Sequence, residues 1–367
     1  MTRLQFNELV ERLEFRFTDR PGALARSTAL WLAGGYTVLF APLALLIAAG
    51  AALLVAGLWI AEAWSIWLVL AGAGVILGGF WMYRGLIWTS GSKEPEVVVH
   101  SHEVPELHAE VENLRQTIGC RRFHRIVLRS DLNAGVVPES RFGLLGGIRS
   151  VLHLGLPLME VLTLDEFRAV LAHEFVHHSR AHGRFSIWVY RVRSLWERTM
   201  VDLTSGTSRV RPWASGFLKW YWPRMNARAF LLCREHEYQA DEFSAAMVGP
   251  EVAADALFRI DTCDHYVQQA FWSEIERLTE QEEQPPTNLL SRIMNCLRDR
   301  ADAELAEWCV DATRYQLTDT GDTHPAWADR VSALGVDPQE FAQAGFPALP
   351  ARSAAQEILG DNRAELT

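Results

Sequence analysis

Two charge-free runs near the start of the chain restrict its folding more than any other feature. No charged residue occurs between Arg26 and Glu62, and none from Ala63 to Tyr83. Each run is long enough to cross a bilayer as a helix, which takes about 20 apolar residues. Together they are too long, and lie too far from the start, for a cleavable signal peptide. The expected arrangement is a two-helix transmembrane hairpin over residues 29–88, with spans at about 31–60 and 63–83. Pro42 is expected to kink the first span, and Gly74 and Gly78 to let the second pack closely against it. Trp31, Trp59, Trp64, Trp67, Trp81 and Trp88 fall near the span ends, where indoles favour the interface. The plain alternative is a hairpin buried in a soluble core.

The flanks set the orientation. Arg3, Arg12, Arg16, Arg20 and Arg26 precede the first span, and Arg84 and Lys93 follow the second. The loop near Glu62 carries no Lys or Arg, so the positive-inside rule puts both ends of the hairpin in the cytoplasm. The expectation is a two-span protein of the cell (inner) membrane whose remaining mass, and active site, are cytoplasmic. Residues 1–28 form a cytoplasmic segment. Five scattered cysteines without C-x-x-C spacing agree with a reducing compartment and exclude a disulfide framework. A net charge of −10 argues against nucleic acid as a partner.

His173-Glu174-Phe175-Val176-His177 carries the chemistry. It reads H-E-x-x-H inside a segment with helical apolar spacing at Leu164, Phe167, Val170, Leu171 and Phe175. Thr163 and Glu166 have the capping-box form at its start. Residues four apart share a helix face, so His173 and His177 can offer their imidazoles to one metal ion, while Glu174 reaches a water beside it. The plain alternative is a chance match on an amphipathic helix.

The surrounding pattern predicts an α+β, mostly helical domain. Val97–Val99, Arg125–Arg129 and a segment near Val151–Leu156 read as strands, and Pro105–Ile118 as an amphipathic helix ending at Gly119. Gly143, Gly146 and Gly147 mark a turn before the last strand. Between Arg184 and Arg234 stand ten basic residues, two acidic ones and five tryptophans. That composition fits docking on anionic headgroups and equally fits helix–helix packing. Residues 279–286 read as a polar loop, either a lid or a solvated connection.

Zinc sites need a third protein ligand. Position 183, where one spacing pattern would place a histidine, is Gly, and His182 is off by one. Glu197 has the spacing of a thermolysin-like ligand but lacks an Asp four residues on, where Val201 stands. Glu237 sits with Asp241 at i, i+4 on an apolar helical segment. Two carboxylates on such a face are costly unless partnered. A metal would satisfy Glu237, and Asp241 could then orient a ligand imidazole. The plain alternative is an exposed polar face with Arg234 pairing to Glu237.

The order H-E-x-x-H, then Glu237-Tyr238-Gln239-Ala240-Asp241, resembles the M48 family of zinc metallopeptidases. Thr323-His324-Pro325 with Arg330 and Leu334 resembles that family's T-H-P…R…L segment, and Asn133-Ala134 its N-A segment on the cleft edge. These motifs cover about residues 97 to 336. The family includes a bacterial membrane heat-shock protease, the CAAX prenyl protease and a mitochondrial membrane protease. The resemblance implies a gluzincin-type peptidase domain over 97–340, with a small sheet beside the H-E-x-x-H helix and a tail at 341–367. It implies one zinc per chain held by His173, His177 and Glu237, with Glu174 as general base. His324 would stabilise the oxyanion, Asp241 and Arg330 would support the ligands, and Asn133 and Ala134 would edge the substrate cleft.

The implied activity is that of a membrane-anchored zinc endopeptidase acting on protein or peptide substrates, in quality control or processing of membrane proteins. The alternative is a membrane-anchored scaffold with a structural zinc site. An intramembrane protease is disfavoured, because Asp165, Glu166, Arg168, Arg180 and Arg184 surround the motif.

Overall fold

A computed structural model describes residues 2–18, 20–60, 62–87, 97–140, 148–179, 189, 212–281, 288–299, 325–344 and 348–360. The chain is α+β and mostly helical, and it divides into two compact units. One comprises Met1–Ser92, Ser140–Ile148 and Trp188–Leu232; the other comprises Lys93–Glu139, Arg149–Ile187 and Cys233–Thr367.

The first unit holds α1 (Arg3–Phe17), α2 (Pro21–Trp59) and α3 (Ile66–Ile87). Two stretches, Gly22–Trp59 and Ala63–Trp81, are long and apolar enough to cross a membrane. Leu45, Val55, Leu58, Leu70 and Leu77 are exposed along them. The helices are antiparallel, and glycine brings them together, but not at Gly74 and Gly78. Neither of these has a neighbour within 4 Å of an added Cβ. Gly50, Gly57, Gly72 and Gly79 face the partner helix instead. A Cβ on Gly72 would meet the Gly50 carbonyl at 2.5 Å, and one on Gly57 would meet Val69 at 2.8 Å. Each pair is seven apart, so each lies on one stripe of its helix, whereas Gly74 is rotated two residues off it.

α2 starts ten residues before the expected span. Its early part buries Leu24, Thr28, Leu32 and Gly35, one face at i, i+4, i+8 and i+11. The first part of α7 (Pro212–Val248) packs there. The Tyr221 hydroxyl donates to the Trp31 carbonyl at 2.7 Å. A Cβ on Gly35 would lie 2.6 Å from the Tyr221 ring, so only glycine fits. Trp31, expected near a span end, packs here on Trp220 and Tyr221.

In the second unit four strands form a sheet in the order β1-β2-β4-β3: β1 (Val97–Val99), β2 (Arg125–Arg129), β3 (Ala134–Ser140) and β4 (Ile148–Gly155). β1 is antiparallel to β2, with Val98 opposite Val127. β2 is parallel to β4, with Ile126 opposite Leu152. β3, which holds Gly135 and Pro138, is not among the strands expected from the sequence; at a sheet edge proline is tolerated. The turn expected at Gly143, Gly146 and Gly147 lies outside the described residues.

Around the sheet stand α4 (Pro105–Ile118), α5 (Leu156–Val161), α6 (Leu164–His177), α8 (Pro250–Tyr266), α9 (Trp272–Gln281) and α10 (Leu289–Asp299). α4 ends as its sequence predicts, at Gly119 with φ 74°. Phe167, Leu171 and Phe175 of α6 are fully buried in one core with Leu107, Leu152, Leu154 and Leu158. Each such side chain contributes about 1.5–3 kcal/mol. α11 (Trp327–Ala333) packs Trp327 and Val331 on Ala254 and Phe258 of α8, and α12 (Pro338–Ala344) follows it. α13 (Ala354–Leu359) places Ala354, Ala355, Ile358 and Leu359 in the main core, so the core runs past the expected boundary at 340.

Candidate metal centre

α6 begins at the capping box its sequence announces. The Thr163 N–H donates to Glu166 Oε2 at 2.7 Å, and the Thr163 hydroxyl accepts from the Glu166 N–H at 3.3 Å. Arg259 holds the other Glu166 oxygen at 3.1 Å. Two turns further on, His173 and His177 share a face, with Nε2 atoms 3.2 Å apart. α7 brings a polar stripe against that face: Glu237, Asp241 and Ser244 at i, i+4 and i+7, all buried. The Ser244 hydroxyl donates to the Ala169 carbonyl at 2.8 Å, tying the two helices one turn before His173. Ser244 was missed in the sequence; its continuation of the Glu237–Asp241 stripe was the available signal.

Glu237 reaches both histidines. Its Oε2 lies 3.4 Å from His173 Nε2 and its Oε1 lies 3.3 Å from His177 Nε2. Ligand atoms of all three residues lie within 4.8 Å of one another. Tetrahedral bonds of about 2.05 Å to nitrogen and oxygen put ligand atoms roughly 3.3 Å apart. The 3.2 Å between the two imidazole nitrogens fits a zinc-sized ion, Glu237 brings one oxygen within 3.4 Å of each ring, and two imidazoles with one carboxylate suit zinc chemically.

Asp241 accepts from His173 Nδ1 at 2.9 Å, which leaves Nε2 directed at the shared centre. Arg330, on α11, grips the same carboxylate through Nε at 2.7 Å and Nη2 at 2.6 Å. That bidentate pair fixes Asp241 and compensates its buried negative charge. Burial opposes the Asp241 charge, but Arg330 outweighs it and holds the carboxyl down to about 2. Burial also opposes a charge on His173, yet hydrogen bonds to Asp241 and Glu237 outweigh it and raise the ring to about 9.

Glu174 is half-buried beside this centre, and no described side chain hydrogen-bonds or pairs with its carboxylate. A Cβ on Gly135 of β3 would stand 3.8 Å from its Oε2. The start of β3 is fixed by Gly155, whose N–H donates to the Asn133 carbonyl at 2.8 Å. A Cβ there would collide with the Asp131 carbonyl. So Gly135, the residue after Asn133 and Ala134, faces Glu174, while Asp241 and Arg330 hold the His173 ring from its Nδ1 side. His324, Glu197, His182 and Gly183 lie outside the described residues; Pro325 and Ala326, next to His324, are buried.

Residues 101–336, more than half of the chain, match the family model described as Peptidase family M48. No curated protein and no solved structure gives a match.

Proposed function

The chain belongs to peptidase family M48, and from that premise we propose that this metallopeptidase is a zinc-dependent endopeptidase, anchored in a membrane by α2 and α3, that cleaves protein substrates. The observation that carries the reading is the meeting of His173, His177 and Glu237 at one centre beside an unpaired Glu174. Zinc, when bound, acidifies a water in its open position and polarises the scissile carbonyl.

Glu174 takes the proton of the attacking water and later delivers it to the leaving amine. Its freedom from salt bridges suits that exchange. Asp241 holds His173 in the tautomer that leaves Nε2 unprotonated toward the metal, and Arg330 keeps Asp241 in place. The edge strand β3, from Asn133 and Ala134 onward, pairs with an extended substrate and lays its scissile bond over Glu174. By the family resemblance, His324 donates to the developing oxyanion. The exposed apolar surfaces of α2 and α3 support membrane anchoring. The arginines before the first span put the catalytic side in the cytoplasm of a cell with an inner membrane. Substrates met there are membrane proteins undergoing turnover or processing.

The rival is a scaffold with a structural zinc site. A structural site has all positions closed and no need of a base, whereas three protein ligands and an unpaired Glu174 fit an open one. The test is metal removal from the detergent-purified protein. Chelation should abolish casein cleavage, and stoichiometric zinc should restore it. Cleavage that survives full metal removal would refute the reading, and bound zinc without cleavage of any peptide would favour the scaffold.

A further inference from the structure

The two antiparallel helices of the first unit differ in length. Gly79 of α3 meets Leu43 and Leu46 of α2. At 1.5 Å per residue, Arg84, the first charged residue of α3, therefore stands level with about residue 40 of α2. α2 continues beyond that level to Pro21. Gly35 and Trp31 follow at about 8 and 13 Å along the axis, and the headgroup layer adds about 5–8 Å to each side of a bilayer core.

An aromatic and cationic cluster starts at Trp31, about one helical turn beyond the outer edge of that layer. Trp31 stacks with Tyr221 at 5.8 Å and meets Trp220 at 5.7 Å between ring centroids. The Arg228 guanidinium lies 4.4 Å above the Trp31 ring, and that of Arg224 lies 4.9 Å from Trp220. Arg228 donates from Nε to the Ser27 hydroxyl at 3.2 Å and from Nη1 to the Arg224 carbonyl at 2.6 Å. Among the described residues no carboxylate pairs with Arg16, Arg224 or Arg228. Burial lowers the pKa of Arg228, and the charges of Arg16 and Arg224 lower it further. Arg224 and Arg228 thus share a half-buried place with no carboxylate partner among the described residues, beside the half-exposed Trp220 indole.

We propose that Arg224 and Arg228, framed by Trp31 and Trp220, bind the phosphate of an anionic phospholipid headgroup. Guanidinium forks match phosphate oxygens, and the indoles pack against the glycerol region. The site rests on the reading of α2 and α3 as membrane spans.

The test uses the full chain in nanodiscs with equal phosphatidylglycerol and phosphatidylcholine, and native mass spectrometry counts the lipid retained on release. Wild type should retain phosphatidylglycerol selectively. Arg224→Gln with Arg228→Gln should lose it roughly thirtyfold, from about fivefold per arginine. Arg224→Gln alone, whose side chain makes only ring and backbone contacts, should lose about fivefold. Arg121→Gln with Arg122→Gln serves as a charge control and should lose nothing. Equal retention by wild type and the double variant, or displacement of the lipid by inorganic phosphate, would overturn the site. Flotation with liposomes separates the two claims: variants that float like wild type but keep their lipid sink the site alone. A wild type that does not float sinks the span reading and the site together.

Discussion

At the residue scale, the centre depends on a chain of fixed orientations running from Arg330 through Asp241 to His173. Asp241→Asn would leave the buried Arg330 without its bidentate carboxylate and leave one neutral amide oxygen where two charged oxygens serve Arg330 and the His173 ring. Zinc affinity should fall about 10- to 100-fold, with the fold retained. Competition with a fluorescent chelator measures it; unchanged affinity would detach Asp241 from the site. The raised His173 pKa gives a pH dependence. Its folded value of about 9 exceeds the ordinary 6.5, so in the metal-free protein this interaction stabilises fully below 6.5 and is lost as pH rises through 9. Zinc must displace that proton. Apparent zinc affinity should therefore rise with pH up to about 9, about tenfold per unit, with one proton released per ion. Calorimetry in buffers of different ionisation enthalpy would count the proton, and zero release at pH 7.5 would contradict the assignment. Asp241, held near 2, remains ionised throughout this range.

At the element scale, the helices that carry the site are those with clear local signals. The α6 capping box, the Pro105 start and Gly119 stop of α4, and the β-branched runs of β1 and β2 depend on neighbours in sequence, so they were legible. The Glu237–Asp241 pair was legible because two carboxylates on an apolar face demand a partner. β3 was not, since its pairing with β4 is settled by a sheet edge that no local pattern reveals. Which glycines join α2 to α3 was also hidden, because G-x-x-x-G marks spacing while the partner's position selects the face. Gly72→Val should clash with the Gly50 carbonyl and cost about 1–3 kcal/mol, whereas Gly74→Val should be neutral. Thermal unfolding in detergent compares them, and equal midpoints would refute the packing. α13 makes a second case. Its Ser353–Gln356 capping box was present in the sequence, but its burial beside α5 is a long-range contact. Ile358→Ala should cost about 2–5 kcal/mol, read as lower thermal stability of the zinc-loaded protein. No change would place α13 outside the cooperative core.

At the scale of the whole molecule, membership of peptidase family M48, two helices long and apolar enough to cross a membrane, and a cluster that could hold a metal ion support the proposed reading of a membrane-anchored zinc peptidase. His324 and the basic stretch before Pro212 complete that account from sequence, the former through family resemblance. Its central claim is that Glu174 serves catalysis and not metal binding. The most direct measurement is zinc content together with casein cleavage for the full chain and its Glu174→Gln variant. The account predicts one zinc per chain in both proteins and a loss of hydrolysis of about 100-fold or more in the variant alone. Turnover by Glu174→Gln at the wild-type rate, or a wild-type protein that cleaves without zinc, would contradict it.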